Sequence, residues 1–251
     1  MSDAPCTFLE WDSQFFGVRI ARVNGSRMDA TQLTAVKDWI AAERIDCVYF
    51  LADSTDAVTV RLAEESGFRL QDVRLTLALS RPTEPAPLVD IPTIRPARPT
   101  DADAMRDTAR HAYVHSRFYN DPHFTEAQCA SLYDVWLTRS ITDRTYAELT
   151  YVGLVNDQPA GYITMHLNRA QKQGTIGLVG VGESARGQAL GQTLVQQALV
   201  WFWDQGMESV QVTTQGRNIA GQRLYQRCGF LTQSLLLWYH WWPADTASTT
   251  S

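Results

Sequence analysis

The stretch VGVGESARGQALGQTLV, Val179 to Val195, decides the fold, because its glycines can be read in two frames. In one, Gly180-x-Gly182-x-x-Ala185 imitates the fingerprint of a dinucleotide-binding unit. In the other, Arg186 opens a loop, Arg186-Gly187-Gln188-Ala189-Leu190-Gly191, that leads into a helix. The first frame would bury Gly187 and Gly191 inside a helix, where each costs about 1 kcal/mol against alanine. It also needs an acid near the tip of the next strand, and that strand, SVQVTTQG, ends in Gln215 and Gly216. A Walker loop fails as well, since no Gly-Lys-Ser or Gly-Lys-Thr follows.

The second frame fits better. Strand TIGLVGV ends near Val181, the turn GESA follows, and Gly180 and Gly182 let the chain bend there. Backbone N–H groups from Gln188 to Gly191 become the free donors of a helix start, at the positive end of its dipole, where a pyrophosphate binds well. Small residues let the phosphate approach the backbone. Leu190, Leu194, Val195, Ala198, Leu199 and Phe202 recur at spacings of three and four, so the helix has an apolar face.

Working outward, a shift of 162 residues lays the first half of the chain over the second. RLAEESGF at Arg61–Phe68 then meets RLYQRCGF at Arg223–Phe230, and without gaps Trp39 meets Trp201, Ile45 meets Met207 and Val48 meets Val210. Both copies read as helix, strand, helix ending at Gly-Phe, and a last apolar strand, VRLTLAL or SLLLWYHWW. The first copy has Asn24 for Arg186, Asp29 for Gly191 and Ala63 for Tyr225. It therefore reads as a degenerate shell that packs against or completes the second half. Between the copies, Ser80–Thr100 holds six of the ten prolines, which disfavours helix and central strand. The expected organisation is a degenerate domain over 1–80, a proline-rich linker over 81–93, a main domain over 94–242 and a disordered tail over 243–251.

The main domain opens with a strand near Ile94 and a helix capped by Thr100, with Asp103 completing a capping box. Thr125 and Gln128 form a second box before EAQCASLYDVWLTRS. Between these helices lies the aromatic loop SRFYNDPHF, Ser116–Phe124. Strands TYAELTY, YVGLVN, AGYITMHLN and GTIGLVGV follow. The class is α+β, a mixed central sheet flanked by helices.

Two motifs in this order resemble the GNAT acetyltransferase superfamily. Arg186-x-x-Ala189-x-Gly191 matches its Gln/Arg-x-x-Gly-x-Gly/Ala signature except at Ala189, and Asn218, Leu224, Tyr225, Gly229 and Phe230 stand in register with its downstream Asn-to-Gly-Phe segment. The resemblance covers about Ile94 to Trp242. It implies the GNAT fold, with acetyl-CoA lying between GTIGLVGV and ESVQVTT. Backbone groups at Val179, Gly180 and Val181 would meet the pantetheine arm, and Arg186 to Gly191 the pyrophosphate. Asn218 would order the loop or bond to the cofactor arm.

Acetyl transfer from a thioester to an amine needs a neutral nitrogen, a stabilised oxyanion and a proton for the leaving thiolate. Tyr225 is the candidate acid, because a phenol keeps its proton at neutral pH. No carboxylate lies on GTIGLVGV, so a direct Asp or Glu base on that strand is ruled out; the sequence does not name the base, and His115, Tyr119, Asp121, His123 or His166 could relay the proton, directly or through water. His111 and His115 share a helix face, but HAYVH lacks the glutamate of His-Glu-x-x-His, and no metal is expected.

The opening TFLEWDSQFFGVRIARVN, the degenerate copy and the LWYHWW ending resemble the branch of the family that acetylates nucleotide sugars. That implies the 4-amino group of a dTDP-4-amino-4,6-dideoxy sugar as acceptor, in surface-polysaccharide synthesis, with Arg117, Tyr119 and His115 binding it. A protein N-terminus or small amine as acceptor, or a silent acyl-CoA-binding module, are the alternatives. The net charge of −5 argues against nucleic acid as a partner. The absence of a signal-like start or a long apolar run argues against a membrane, and four scattered cysteines read as reduced thiols of a cytoplasmic protein. A free edge on SLLLWYHWW would allow a homodimer.

Overall fold

In the computed structural model, which describes residues 4–84, 91 and 93–243, the first half runs β1 (Cys6–Phe8), α1 (Glu10–Phe16), β2 (Ile20–Val23), α2 (Ala30–Glu43), β3 (Cys47–Asp53), α3 (Ala57–Glu65) and β4 (Arg69–Ser80). The second half begins β5 (Ile94–Pro96), α4 (Asp101–Ala112), α5 (Arg117–Asn120), α6 (Glu126–Thr142), β6 (Leu149–Val155) and β7 (Gln158–Asn168). It ends with β8 (Gln173–Val181), α7 (Leu190–Asp204), β9 (Ser209–Gln215), α8 (Ile219–Arg227) and β10 (Leu231–Trp241). Most of the expected linker and nearly all of the expected tail lie outside the described residues.

The ten strands of the described residues join one mixed sheet in the order β1-β2-β3-β10-β4-β9-β8-β7-β6-β5. The 162-residue shift carries β3 onto β9 and α3 onto α8 end to end. It relates the hydrogen-bond registers too: Val48 lies opposite Trp241 in one half, and Val210 opposite Leu79 in the other. The two halves exchange their last strands. β10 fills the slot between β3 and β4, while β4 lies between β10 and β9. Arg74 lies opposite Leu236, its own counterpart, so a local two-fold axis passes between those two residues.

Helices cover both faces. Under α7 and α8, Leu194, Val195, Phe202 and Phe230 pack on Ile163, Met165, Val210 and Val212. Under α2 and α3, Leu33, Val36, Ile40 and Ala63 pack on Val48, Phe50 and Tyr239. On the opposite face α1, α5 and α6 enclose an aromatic cluster of Phe16, Tyr49, Phe118, Phe124 and Tyr133. Each fully buried Phe stabilises the fold by roughly 1.5–3 kcal/mol.

Four expectations are corrected. SLLLWYHWW is an interior strand, and the sheet ends instead at β1 and β5, so edge pairing through β10 gives no ground for a dimer. TYAELTY is not a strand of its own: Asp143 Oδ1 accepts from the N–H and hydroxyl of Thr145, which fixes a turn and delays β6 to Leu149. Thr100 makes no side-chain cap. Asp101, the first helical residue, turns back to the preceding turn instead, accepting from the Arg98 N–H and pairing both oxygens with Arg95, while Asp103 accepts from Arg106. Gly180 does not serve a bend; it lies within β8, where a Cβ would sit 2.5 Å from the Tyr162 ring. The Thr125–Gln128 capping box forms as expected.

Candidate functional site

β8 and β9 pair in parallel only from Gln173–Ser209 to Ile176–Val212. Beyond that point β8 follows β7 to Val181, and β9 follows β4 to Gln215. The strands diverge because β8 carries an extra residue: Met165 faces Ile176 but Ile163 faces Val179, and the freed Leu178 N–H donates to Thr164 Oγ1 at 2.7 Å. The result is a wedge-shaped gap with unpaired backbone on its β8 wall.

At the mouth of the wedge lies a cavity of about 330 Å³. Of the candidate cofactor residues, Val181, Arg186, Gly187, Ala189, Leu190 and Gly191 line it, and Val179, Gly180, Gln188 and Asn218 lie outside the lining. α7 starts at Leu190, with Ala189 as N-cap and no side-chain cap. The free donors therefore run from Ala189 to Gln192, one position later than the sequence suggested. Gln188 instead donates its side-chain amide to the Ser184 carbonyl. Gly187 has φ 77° and Ala189 φ 59°. The family's usual glycine at Ala189 thus has a conformational reason, since alanine in the left-handed region costs roughly 1–2 kcal/mol. Arg227, on the last turn of α8, adds a second cation to the lining. Sequence reading missed it, because an arginine at a helix C-terminus is ordinary.

The first copy shows how such a seat closes. Asp29, the counterpart of Gly191, caps α2 with its own carboxylate, accepting from Gln32 N–H, while Gln32 Oε1 accepts from Asp29 N–H. Its helix start carries its own anion.

Tyr225 is buried on α8, edge-on to Phe230. Burial pushes its pKa well up, and nearby Cys228 adds in the same direction, so the phenol holds its proton. Tyr113 donates to the Val179 carbonyl at 3.1 Å and accepts from Tyr162 at 3.2 Å. This expected pantetheine contact is therefore already engaged. Asn218 caps α8 by accepting from Gly221 N–H, and its amide donates to Thr214 Oγ1.

The aromatic loop folds over the opposite face. Arg117 is stacked over Tyr49, Phe118 and Trp238, at 4.0, 4.2 and 4.4 Å from the ring centroids. It also donates to His240 Nε2 at 2.8 Å. Nε2 must then accept, so the His240 proton sits on Nδ1 and is donated to Asp121 Oδ2 at 2.6 Å. Trp242 Nε1–H and the His123 backbone N–H also donate to Asp121. Burial opposes the Asp121 charge, but these hydrogen bonds outweigh it and hold the carboxyl well below its usual range. Burial lowers the His240 pKa, and the Arg117 charge adds to this against the pull of Asp121.

Tyr119 turns its hydroxyl to the Arg110 carbonyl, and His115 is exposed. Of the three expected acceptor residues, Arg117 alone is gathered onto the sheet. Of the expected bases, Asp121 and His123 are tied to each other. His166 lines a cavity of about 270 Å³ with Trp136, Tyr146, Gly177 and Leu178. A Cβ on Gly177 would fall 2.5 Å from His166 Nε2, so the imidazole lies over the residue where β8 leaves β9. Among the described residues no His, Cys, Asp and Glu group could hold a metal ion, and no helix is long and apolar enough to cross a membrane.

Known proteins resemble this chain in sequence and fold. The model of the acetyltransferase (GNAT) family matches residues 106–230. The chain is 26% identical to dTDP-fucosamine acetyltransferase of Escherichia coli O6:H1 over 235 residues, covering 92% of this chain and 96% of that protein. It is 26% identical over 152 residues to the spore coat polysaccharide biosynthesis protein SpsD of Bacillus subtilis, covering 61% of this chain and about half, 51%, of that relative. A GCN5-related N-acetyltransferase from Sphaerobacter thermophilus shares the fold with a TM-score of 0.64 at 18% identity, over 94% of this chain and 75% of that one.

Proposed function

The chain carries an acetyltransferase domain of the GNAT family, and from that premise we propose that it moves acetyl from acetyl-CoA to the 4-amino group of a dTDP-4-amino-4,6-dideoxy sugar. The observation that carries the transfer is the wedge between β8 and β9, which ends at an uncapped helix start flanked by Arg186 and Arg227. That donor set fits a diphosphate. The near full-length similarity to dTDP-fucosamine acetyltransferase supports the acceptor. Arg117 would hold its diphosphate, with Tyr119 on the same short helix and His115 just before the loop. The acceptor amine attacks the thioester carbonyl, the C–S bond breaks, and Tyr225 protonates the departing sulfur.

The reading is tested by release of CoA thiol from acetyl-CoA with dTDP-amino sugars and with a panel of peptides and small amines. Release with the nucleotide sugar and not with the panel supports it; release only with the panel overturns it. Tyr225→Phe should lower kcat about 10²–10⁴-fold with the KM for acetyl-CoA little changed, the range of a lost general acid. An unchanged kcat removes Tyr225 from that role.

His166 is the base in this proposal. Burial lowers its pKa against the raising influence of Glu148, so the ring is neutral at pH 7 and able to accept a proton from the amine, directly or through water. Tyr146 and Trp136 are its neighbours in the cavity. The rate should fall on acidification below the ordinary imidazole range near 6.5. His166→Gln should lose that acidic limb together with about 10²-fold in kcat. The same limb persisting in the variant would exclude His166.

A further inference from the structure

Three arginines, Arg22, Arg74 and Arg117, come together on the face of the sheet that α1, α5 and α6 partly cover, and two of them belong to the degenerate first half. Arg74 sits on β4 at the local two-fold axis, opposite Leu236 on one side and Gln215 on the other. Its guanidinium leans toward β9 and reaches Thr213 Oγ1 at 3.4 Å. Thr213 is the first residue of β9 beyond the last pair with β8, so Arg74 stands on the lip of the wedge. Arg117 is fixed by its aromatic stack and by His240. Arg22 lies on β2 opposite Tyr49, over whose ring Arg117 stacks.

Among the described residues none of the three forms a salt bridge. Arg74 is half-buried, and burial first, then the charges of Arg117 and Arg22, all press against its own charge. Two carboxylates are near enough to act on Arg117. Burial raises the pKa of both Asp12 and Asp72, Asp72 to about 6, so at pH 7 they still carry charge and offset part of the cluster, but neither forms a salt bridge with any of the three guanidinium groups among the described residues. Asp121 is already saturated by His240, Trp242 and His123. Like charges held together in a half-desolvated trough are unfavourable unless a ligand anion sits between them.

We propose that Arg74 and Arg117, with Arg22 behind them, form the seat for the diphosphate of the nucleotide-linked acceptor, so the first half supplies part of the active site. The spacing suits that ligand. Paired strands lie about 4.8 Å apart, so β4 is one such spacing from β9, and because β9 has left β8 by Thr213 the distance from β4 to β8 across the wedge is about 10 Å or more. A sugar amine placed at the thioester would leave its diphosphate about that far away, over Arg74 and Arg117, with paired N–H donors ready for phosphate oxygens.

This inference rests on the nucleotide-sugar reading, and the test separates the two. Full-length protein saturated with CoA, so that the seat at Arg186 is closed, is titrated with dTDP and with inorganic pyrophosphate. Arg74→Gln should weaken both at least 10-fold and raise the KM for the nucleotide sugar by a similar factor. Arg22→Gln should have a smaller effect in the same direction, and the KM for acetyl-CoA and the melting temperature should stay unchanged in both variants. Turnover of the dTDP-amino sugar with a KM that ignores Arg74 would overturn the seat and leave the function standing. Arg74-dependent pyrophosphate binding in a protein that acetylates no nucleotide sugar would do the reverse.

Discussion

Gly191→Asp should raise the KM for acetyl-CoA roughly 100-fold while α7 stays folded. The substitution writes into the second half the residue that the first half already has. There is room for it, since a Cβ at Gly191 meets Leu224 and Val181 at 3.5 Å, ordinary contact. A carboxylate in the first turn favours the helix through its dipole, by about 0.3–1 kcal/mol. The same carboxylate opposes a diphosphate on the same N–H groups, and like-charge juxtaposition costs several kcal/mol. Loss of cofactor affinity with an unchanged or raised melting temperature is thus the expected pair of results. Unchanged acetyl-CoA affinity in Gly191→Asp would show that the phosphates bind elsewhere.

Asp121→Ala should destabilise the protein by roughly 3–5 kcal/mol, the usual cost of removing one partner from a buried charged network. Asp121 is 1% exposed, and its loss leaves the Nδ1 proton of fully buried His240 without an acceptor and takes from Trp242 its bond to the same oxygen. Asp121→Asn keeps an acceptor oxygen and should recover part of the loss. A urea midpoint within error of wild type for Asp121→Ala would exclude the network as a stabilising element. The pH dependence follows from the same groups. The folded state holds His240 neutral and Asp121 charged, so the unfolded chain binds more protons below about pH 6.5 for the imidazole and below about 4 for the carboxyl. Stability is present in full above those values and falls as the pH is lowered through them, and His240→Gln should remove the first part of that loss.

What was legible in the sequence is what is written locally. The loop from Arg186 to Gly191, the apolar face beginning at Leu190 and the Thr125–Gln128 box are each contained within a few turns of chain; the face and the box appear where expected, and the loop leads into α7 with its donors one position later. The 162-residue offset is also local in this sense, since it compares two segments by their own periodicity. The strand exchange was not legible, because β10 presents the same apolar residues to β3 and β4 as it would to a strand of its own half. Pairing partners far apart in sequence leave no trace in either strand. The left-handed backbone at Ala189 depends on how the loop meets α7. The cluster at Arg74 had a signal that was passed over: Asp72, Arg74 and Thr76 alternate with Val73, Leu75 and Leu77, which marks a polar face on a strand read only as apolar. His166 was one of five equal candidates until the bulge at Gly177 set it over the wedge.

The exchange of last strands also fixes a timetable for synthesis. Ser54 bonds to Leu235 across 181 residues, and the slot that β10 fills is bounded by two strands made long before it. At about 5–20 residues per second, the nascent first half waits on the order of ten seconds or more with the facing edges of β3 and β4 unpaired. During that interval the growing chain offers two open apolar strand edges, the exposure that makes partly folded chains prone to aggregate. The finished enzyme has sealed that slot with the last strand of its own second half.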